Sequence, residues 1–198
     1  MPVRDLQSTQ AFFASRAEGW EDRFPDDDPL FETAVDALQL GAGGAVLDAG
    51  CGTGRALPFM RNAVGADGSV VGFDATPEMI VEAHRLGRAD SAVLFVTDVL
   101  NSGLPDERFD GILAAGLLPH LPDPSMVLIE LARIMKPGGR LALFHPISRQ
   151  ALCGRHGDDP DTSVIAPPIL TDLFEGLPWQ LESIDDGEHY LALARKVS

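Results

Sequence analysis

The sequence predicts an α/β fold: a mostly parallel sheet with helices on both faces, completed by an antiparallel hairpin at the C-terminus. Two observations carry this. Three short apolar runs, AVLDAG at 45–50, SVVGFD at 69–74 and AVLFVTD at 92–98, alternate with helical patterns. Their spacing is close to that of one strand–helix unit in an open parallel sheet. Near the end, WQLESIDD and HYLALARKV read as two strands split by Asp186-Gly187, a dipeptide suited to a hairpin turn.

Taken in order, residues 9–24 set Phe12, Phe13 and Trp20 among charges, the pattern of an amphipathic helix or cap. At 29–40, Leu30, Ala34, Val35 and Leu38 fall at helical spacing behind Pro29. A glycine-rich break at 41–44 leads to a first strand at 45–49 and a helix from about 53 to 64. The second strand ends at Asp74, where Thr76-Pro77-Glu78 opens a helix with a capping hydroxyl, a first-turn proline and an early acid. The third ends at Asp98, and LPDERFD leads into a fourth, GILAAG. Residues 124–135 form a helix that Pro137-Gly138-Gly139 stops before a fifth strand, RLALFHP. Residues 154–163 read as a mobile polar loop, followed by a helix around 168–176.

One domain of 198 residues is expected, with a helical cap at 1–40, a ligand-binding core at 44–146 and a substrate-side region at 147–198. Thirty acids against fifteen Lys plus Arg give a net charge of −15, which repels nucleic acid and anionic lipid surfaces. Cys51 and Cys153 have no metal-ligand spacing and build no disulfide framework, which points to a reducing compartment. MPVRDLQSTQ has no apolar signal segment, and the longest apolar stretch, 112–121, is too short and broken to span a bilayer. The expectation is a cytoplasmic monomer or homodimer.

In open parallel sheets ligands bind outside the carboxyl ends of the strands, at the switch in strand order. Asp48, Asp74 and Asp98 would line that edge. Three carboxylates repel a pyrophosphate. They suit an ammonium, a ribose diol and an exocyclic amine, all of which S-adenosylmethionine (SAM) carries. The loop Asp48-Ala-Gly50-Cys-Gly52-Thr-Gly54 lets bare backbone approach a ligand. Counted from Gly50, the third glycine of a dinucleotide fingerprint falls on Arg55, and the Lys of a phosphate-binding Walker loop is absent. An NAD-dependent oxidoreductase is therefore disfavoured.

VLDAGCGTG at 46–54, GFDATPEM at 72–79, LPDERFDGILAAGLLPHLPDP at 104–124 and ELARIMKPGGRLALFHP at 130–146 resemble, in order, the motifs of the class I SAM-dependent methyltransferases. The likeness is greatest to the small-molecule group that includes ubiquinone/menaquinone-biosynthesis methyltransferase-like proteins. It implies a Rossmann-like seven-stranded methyltransferase sheet that turns SAM into S-adenosylhomocysteine. Gly50, Cys51, Gly52, Gly54 and Asp48 would then hold the methionine part and Asp74 the ribose hydroxyls. Ala75 and Met79 would line the adenine, Asp98 and Val99 would meet its edge, and the Ala115 carbonyl would receive the ammonium. Ala75 departs from the larger aliphatic residue common in the family.

The chemistry implied is in-line methyl displacement onto an oxygen, nitrogen or carbon nucleophile of a small molecule. Positioning can supply much of the acceleration, with a base needed only where the acceptor loses a proton. His120 and His145 are the candidate catalytic residues, with His120 alternatively stabilising its loop. Arg149 and His156 are candidate substrate contacts; His145 and His156 lie eleven residues apart, a spacing that fits no metal-ligand pair, so no metal is expected. Trp20 with Phe12 and Phe13 could be core or lid, and Arg16 could reach the methionine carboxylate or lie solvated. A SAM-binding sensor or scaffold without turnover is the alternative from another class.

Overall fold

Parallel pairing of β1 (Ala45–Ala49) with both β2 (Ser69–Asp74) and β4 (Phe109–Ala115) organises the molecule, a computed structural model that describes residues 5–23 and 26–197. Beyond β2 lies β3 (Val93–Val96), and beyond β4 lies β5 (Met135–His145). The hairpin β6 (Trp179–Asp186) and β7 (Tyr190–Lys196) completes a seven-stranded sheet in the order β3-β2-β1-β4-β5-β7-β6, with β7 antiparallel to both its neighbours. Strand order therefore reverses between β1 and β4, which fixes the ligand edge at their carboxyl ends.

Helices α1 (Leu6–Ala14), α2 (Asp28–Ala37), α3 (Leu57–Val64), α4 (Pro77–Arg85), α5 (Pro124–Ile134), α6 (Arg149–His156) and α7 (Pro167–Phe174) fill the connections. Side chains alternate across the sheet, so two apolar layers form. Leu47, Ile112, Leu128, Leu131 and Trp179 share one, and Val46, Leu113, Leu57 and Met60 share the other. Strand β1 is buried along its whole length, as a central parallel strand must be.

The departures from expectation have local causes. Helix α3 starts at Leu57 instead of near 53, because Gly50, Gly52 and Gly54 all take positive φ and hold the chain in turns. Strand β3 stops at Val96: Asp98 accepts the Leu100 N–H at 3.2 Å and caps a short 3-10 turn at Val99–Asn101. Helix α5 ends at Ile134, ahead of Pro137-Gly138-Gly139, and that segment lies inside β5 instead of stopping the helix before it. Register jumps from Phe109↔Met135 to Gly111↔Arg140, so the four residues between bulge out of one continuous strand. The expected mobile loop at 154–163 is replaced by the second half of α6 and a 3-10 turn at Pro160–Thr162. Ser148 caps that helix by accepting from the Ala151 N–H at 3.2 Å.

Candidate functional site

The carboxyl ends of β1, β2, β4 and β5 open into a cavity of about 400 Å³, roofed by α1 and the segment after it. Asp48, Gly50, Cys51, Gly52, Asp74, Ala75, Met79, Asp98, Val99 and Ala115 border it, together with His120, His145, Arg16 and Trp20. Two expected residues do not. Gly54 turns into the loop's packing: a Cβ there would meet Leu57 Cδ1 at 2.7 Å, so its glycine serves the approach of loop to helix. Arg149 is drawn away to Asp186, its Nε donating to the carboxylate at 2.7 Å and a guanidinium nitrogen to the Pro160 carbonyl at 2.5 Å. The side chain of His156 lies outside the described residues.

Of the three acids, Asp48 is the most unusual. It is 2% exposed, and its Oδ1 has no hydrogen-bond partner among the described residues. Burial, then the charge of Asp74, pushes its pKa up to about 8, so near neutrality the carboxyl holds its proton. Asp74 is differently placed. Its burial also raises its pKa, but the Thr76 N–H (2.7 Å) and Gly52 N–H (2.9 Å) each donate to one of its oxygens and oppose the rise. The Thr76 side chain adds a third hydrogen bond in the same sense, and since a carboxylate has about four lone-pair directions, Asp74 keeps acceptor capacity beyond these. Cys51 packs between these acids, and burial with their charges raises its thiol pKa well above the ordinary value. The glycine loop turns over β2 with φ +73° at Gly50 and +53° at Gly52, and no atom lies within 4 Å of a Cβ position at Gly52.

An orphaned buried carboxyl oxygen, an Asp with open acceptor sites and bare backbone beside both fit SAM. Asp48 would face a cationic ammonium, Asp74 would take the ribose hydroxyls, and the open side of Gly52 would leave room for the chain between them. A diphosphate would find acceptors instead of donors at both carboxyl groups.

The roof is tied to the two loops that carry these groups. Gln10 Nε2 donates to the Ala75 carbonyl at 2.6 Å. Glu21 takes the Thr53 hydroxyl at 2.6 Å, Arg55 at 2.5 Å and Arg88 at 2.6 Å. Burial alone would raise the Glu21 pKa, but the Arg88 and Thr53 hydrogen bonds and the charges of Arg88 and Arg55 hold it at about 2. Arg55, the residue that breaks the dinucleotide pattern, is thus a buried tie between loop and roof. Sequence reasoning missed Gln10, Glu21, Thr53 and Arg88; their one signal is an acid within an aromatic segment, which looks like an ordinary solvated charge.

Phe13 stands edge-on to both Trp20 and His120, at ring separations of 5.7 and 5.0 Å. The aromatic residues of the N-terminal segment therefore face the cavity. Arg16 sits over the Phe12 ring at 3.8 Å and donates to the Phe12 carbonyl and the Ser15 hydroxyl, both at 2.9 Å. At the end of β5, the Ile147 N–H donates to His145 Nδ1 at 3.2 Å, so the neutral ring carries its proton on Nε2. Among the described residues no cluster of three His, Cys, Asp or Glu side chains is placed to hold a metal ion, and no helix is long and apolar enough to cross a membrane.

Residues 47–143 match the methyltransferase-domain family. The chain is 37% identical over 118 residues to the 27-O-demethylrifamycin SV methyltransferase of Amycolatopsis mediterranei, covering 58% of this chain and 43% of that one. It is 34% identical over 124 residues to the aklanonic acid methyltransferase DauC of Streptomyces sp. strain C5, covering 61% and 56%. It spans about half the length of such relatives. A SAM-dependent methyltransferase from Aquifex aeolicus superimposes with a TM-score of 0.76 over 93% of this chain and 98% of that one, at 22% identity, a likeness of fold.

Proposed function

We propose, for a chain that belongs to the class I SAM-dependent methyltransferases, the transfer of a methyl group from SAM to a nucleophilic oxygen, nitrogen or carbon of a small molecule. The observation that carries this reading is the buried, unpartnered Oδ1 of Asp48 at the end of β1. A buried acceptor without a donor costs about 1–3 kcal/mol, a cost that a cationic ligand would recover.

Asp48 and Gly50–Gly52 would hold the methionine part, with the Ala115 carbonyl facing the ammonium. Asp74 would accept from the ribose hydroxyls, Met79 and Ala75 would line the adenine, and Asp98 with the Val99 amide would meet its edge. When bound, SAM supplies an electrophilic methyl group on a sulfonium. The chain's own contribution is then to align the acceptor, exclude water and manage one proton. The roof residues Phe12, Phe13 and Trp20 do the excluding. His145, with Nδ1 occupied by a backbone donor, offers an Nε2–H to an acceptor oxygen and does not serve as base through that nitrogen. This leaves proton acceptance to His120, whose ring abuts the roof. General-base help of this kind is worth about 10²–10⁴ in rate.

Calorimetry with SAM and S-adenosylhomocysteine tests the reading: no binding of either below about millimolar would sink it. Transfer of a labelled methyl group from SAM to a metabolite in a cell extract completes the test. Binding without transfer to any metabolite would identify a sensor instead of an enzyme.

A further inference from the structure

Helix α1 crosses the cavity from one side of the sheet to the other. Gln10 donates to the carbonyl of Ala75, just after β2, while Phe13 meets the ring of His120, which follows β4. Strand order puts β2 and β3 on one side of β1, and β4 and β5 on the other. Asp74 and Asp98 therefore stand on the first side, and Leu117, His120, His145 and Pro146 on the second, all bordering the same cavity. A nucleoside held by Asp74 and Asp98 would leave the second side to the methyl acceptor. The roof over that side is aromatic. Phe13 stands edge-on to Trp20 at 5.7 Å with 61° between the ring planes, and to His120 at 5.0 Å and 86°. These three rings are half-buried, whereas Phe73, Phe109 and Phe144 of the sheet are buried. Phe12 gives its ring face to Arg16, at 3.8 Å. Leu152 of α6 adds an apolar wall.

We infer that the methyl acceptor is an aromatic compound whose ring packs against Phe13 and Trp20, on the β4 side of the cavity. The inference rests on the SAM reading of the site. Apolar area alone favours any hydrocarbon body of the right size. Rings in edge-to-face contact favour one kind of body over the rest: their positive edges and negative faces attract the faces and edges of a further ring, and an aliphatic body leaves that attraction unused. The rings are also in place before an acceptor arrives. Gln10 ties their segment to Ala75 and Glu21 ties it to Thr53, so little ordering is left for the acceptor to bring about.

The probes are 2-naphthol and its saturated counterpart decahydro-2-naphthol, titrated by calorimetry into the protein saturated with S-adenosylhomocysteine. The saturated alcohol has at least as much apolar surface to bury, so area alone gives it no disadvantage. The naphthol should nevertheless bind about fivefold tighter or more. In the double variant Phe13→Leu/Trp20→Leu, which keeps the wall apolar, the two probes should come within about twofold of each other, the loss falling on the naphthol. Where the double variant does not fold, Trp20→Leu alone should remove part of the preference. Equal or tighter binding of the saturated alcohol, no binding of either probe below about 10 mM, or a preference that survives these substitutions would overturn the inference. Failure of S-adenosylhomocysteine to bind the parent protein falls on the proposed function; a parent that binds it and shows no preference between the probes falls on this inference alone.

Discussion

Asp48→Asn should stabilise the ligand-free protein and weaken its hold on SAM. In the unfolded chain this carboxyl titrates near the ordinary value of 3.8; in the fold, burial and the neighbouring Asp74 push it up to about 8. Between those values the folded state keeps a proton that the unfolded state has released. Stability from this group is therefore full below pH 3.8 and is lost progressively as pH rises toward 8. Each pH unit inside the window costs about 1.4 kcal/mol, so the step from pH 5 to pH 7 costs about 3 kcal/mol. Asparagine has nearly the same shape and cannot ionise. The advantage of the variant over the parent should grow by about that amount across the step, while titrations common to both proteins cancel. For a domain of this size 1 kcal/mol moves Tm by about 2–4 °C, so the gap in Tm should widen by roughly 6–12 °C. Thermal melts of both ligand-free proteins at pH 5 and pH 7 measure it. A gap that does not change with pH, or a variant less stable at both, would refute the reasoning. The same substitution should raise the Kd for SAM more than about tenfold, since a neutral amide offers the ammonium no charge.

Asp74→Ala strands the N–H groups of Gly52 and Thr76, and should cost about 1–3 kcal/mol of stability with at least a tenfold weaker grip on S-adenosylhomocysteine, read by denaturant melts and calorimetry. Glu21→Gln should destabilise by about 2 kcal/mol at pH 7 and expose residues 5–23 to limited proteolysis, because Arg55 and Arg88 lose a shared partner. Since the Glu21 pKa is held at about 2 against an ordinary 4.5, its contribution is present above pH 4.5 and fades as pH falls toward 2, so the two proteins should converge in acid. Trp179→Phe leaves the Leu128 carbonyl without its 3.0 Å indole donor in a buried site and should cost about 1–2 kcal/mol in urea unfolding.

The parts of the fold legible in the sequence are those decided by local pattern. The apolar runs of β1 and β2 read correctly at both ends because a central parallel strand is buried on both faces and needs an unbroken run. The strand-end aspartates are legible for the same reason: the polar residue that stops such a run is placed by topology on the ligand edge. What was not legible depends on partners distant in the chain. Nothing local distinguishes Glu21 from the acids at 26–28, yet it meets Thr53, Arg55 and Arg88 more than thirty residues away. The polarity of 154–163 suggests a loop, but a serine cap and the anchoring of Arg149 on Asp186 fold its first part into α6. Arg149 itself reads as a site residue until that tertiary partner takes it.

The two anchors of the roof fall on the two loops proposed to grip the cofactor. Gln10 holds the Ala75 carbonyl, the residue directly after Asp74, and Glu21 holds Thr53, the residue directly after Gly52. Asp74 in turn bonds the Gly52 N–H and so ties the same two loops to each other. Roof, glycine loop and Asp74 therefore form one closed circuit of hydrogen bonds. A ligand that orders the two loops must also favour the docked roof, and a docked roof must raise affinity for that ligand by the same factor, because coupling between binding and closure is reciprocal. The ionised Glu21 makes that closure strong, whereas the protonated Asp48 makes the empty floor beneath it costly to keep. The acids of the site thus divide the work: Glu21 holds the roof to the glycine loop, and Asp48 keeps a buried oxygen without a partner among the described residues.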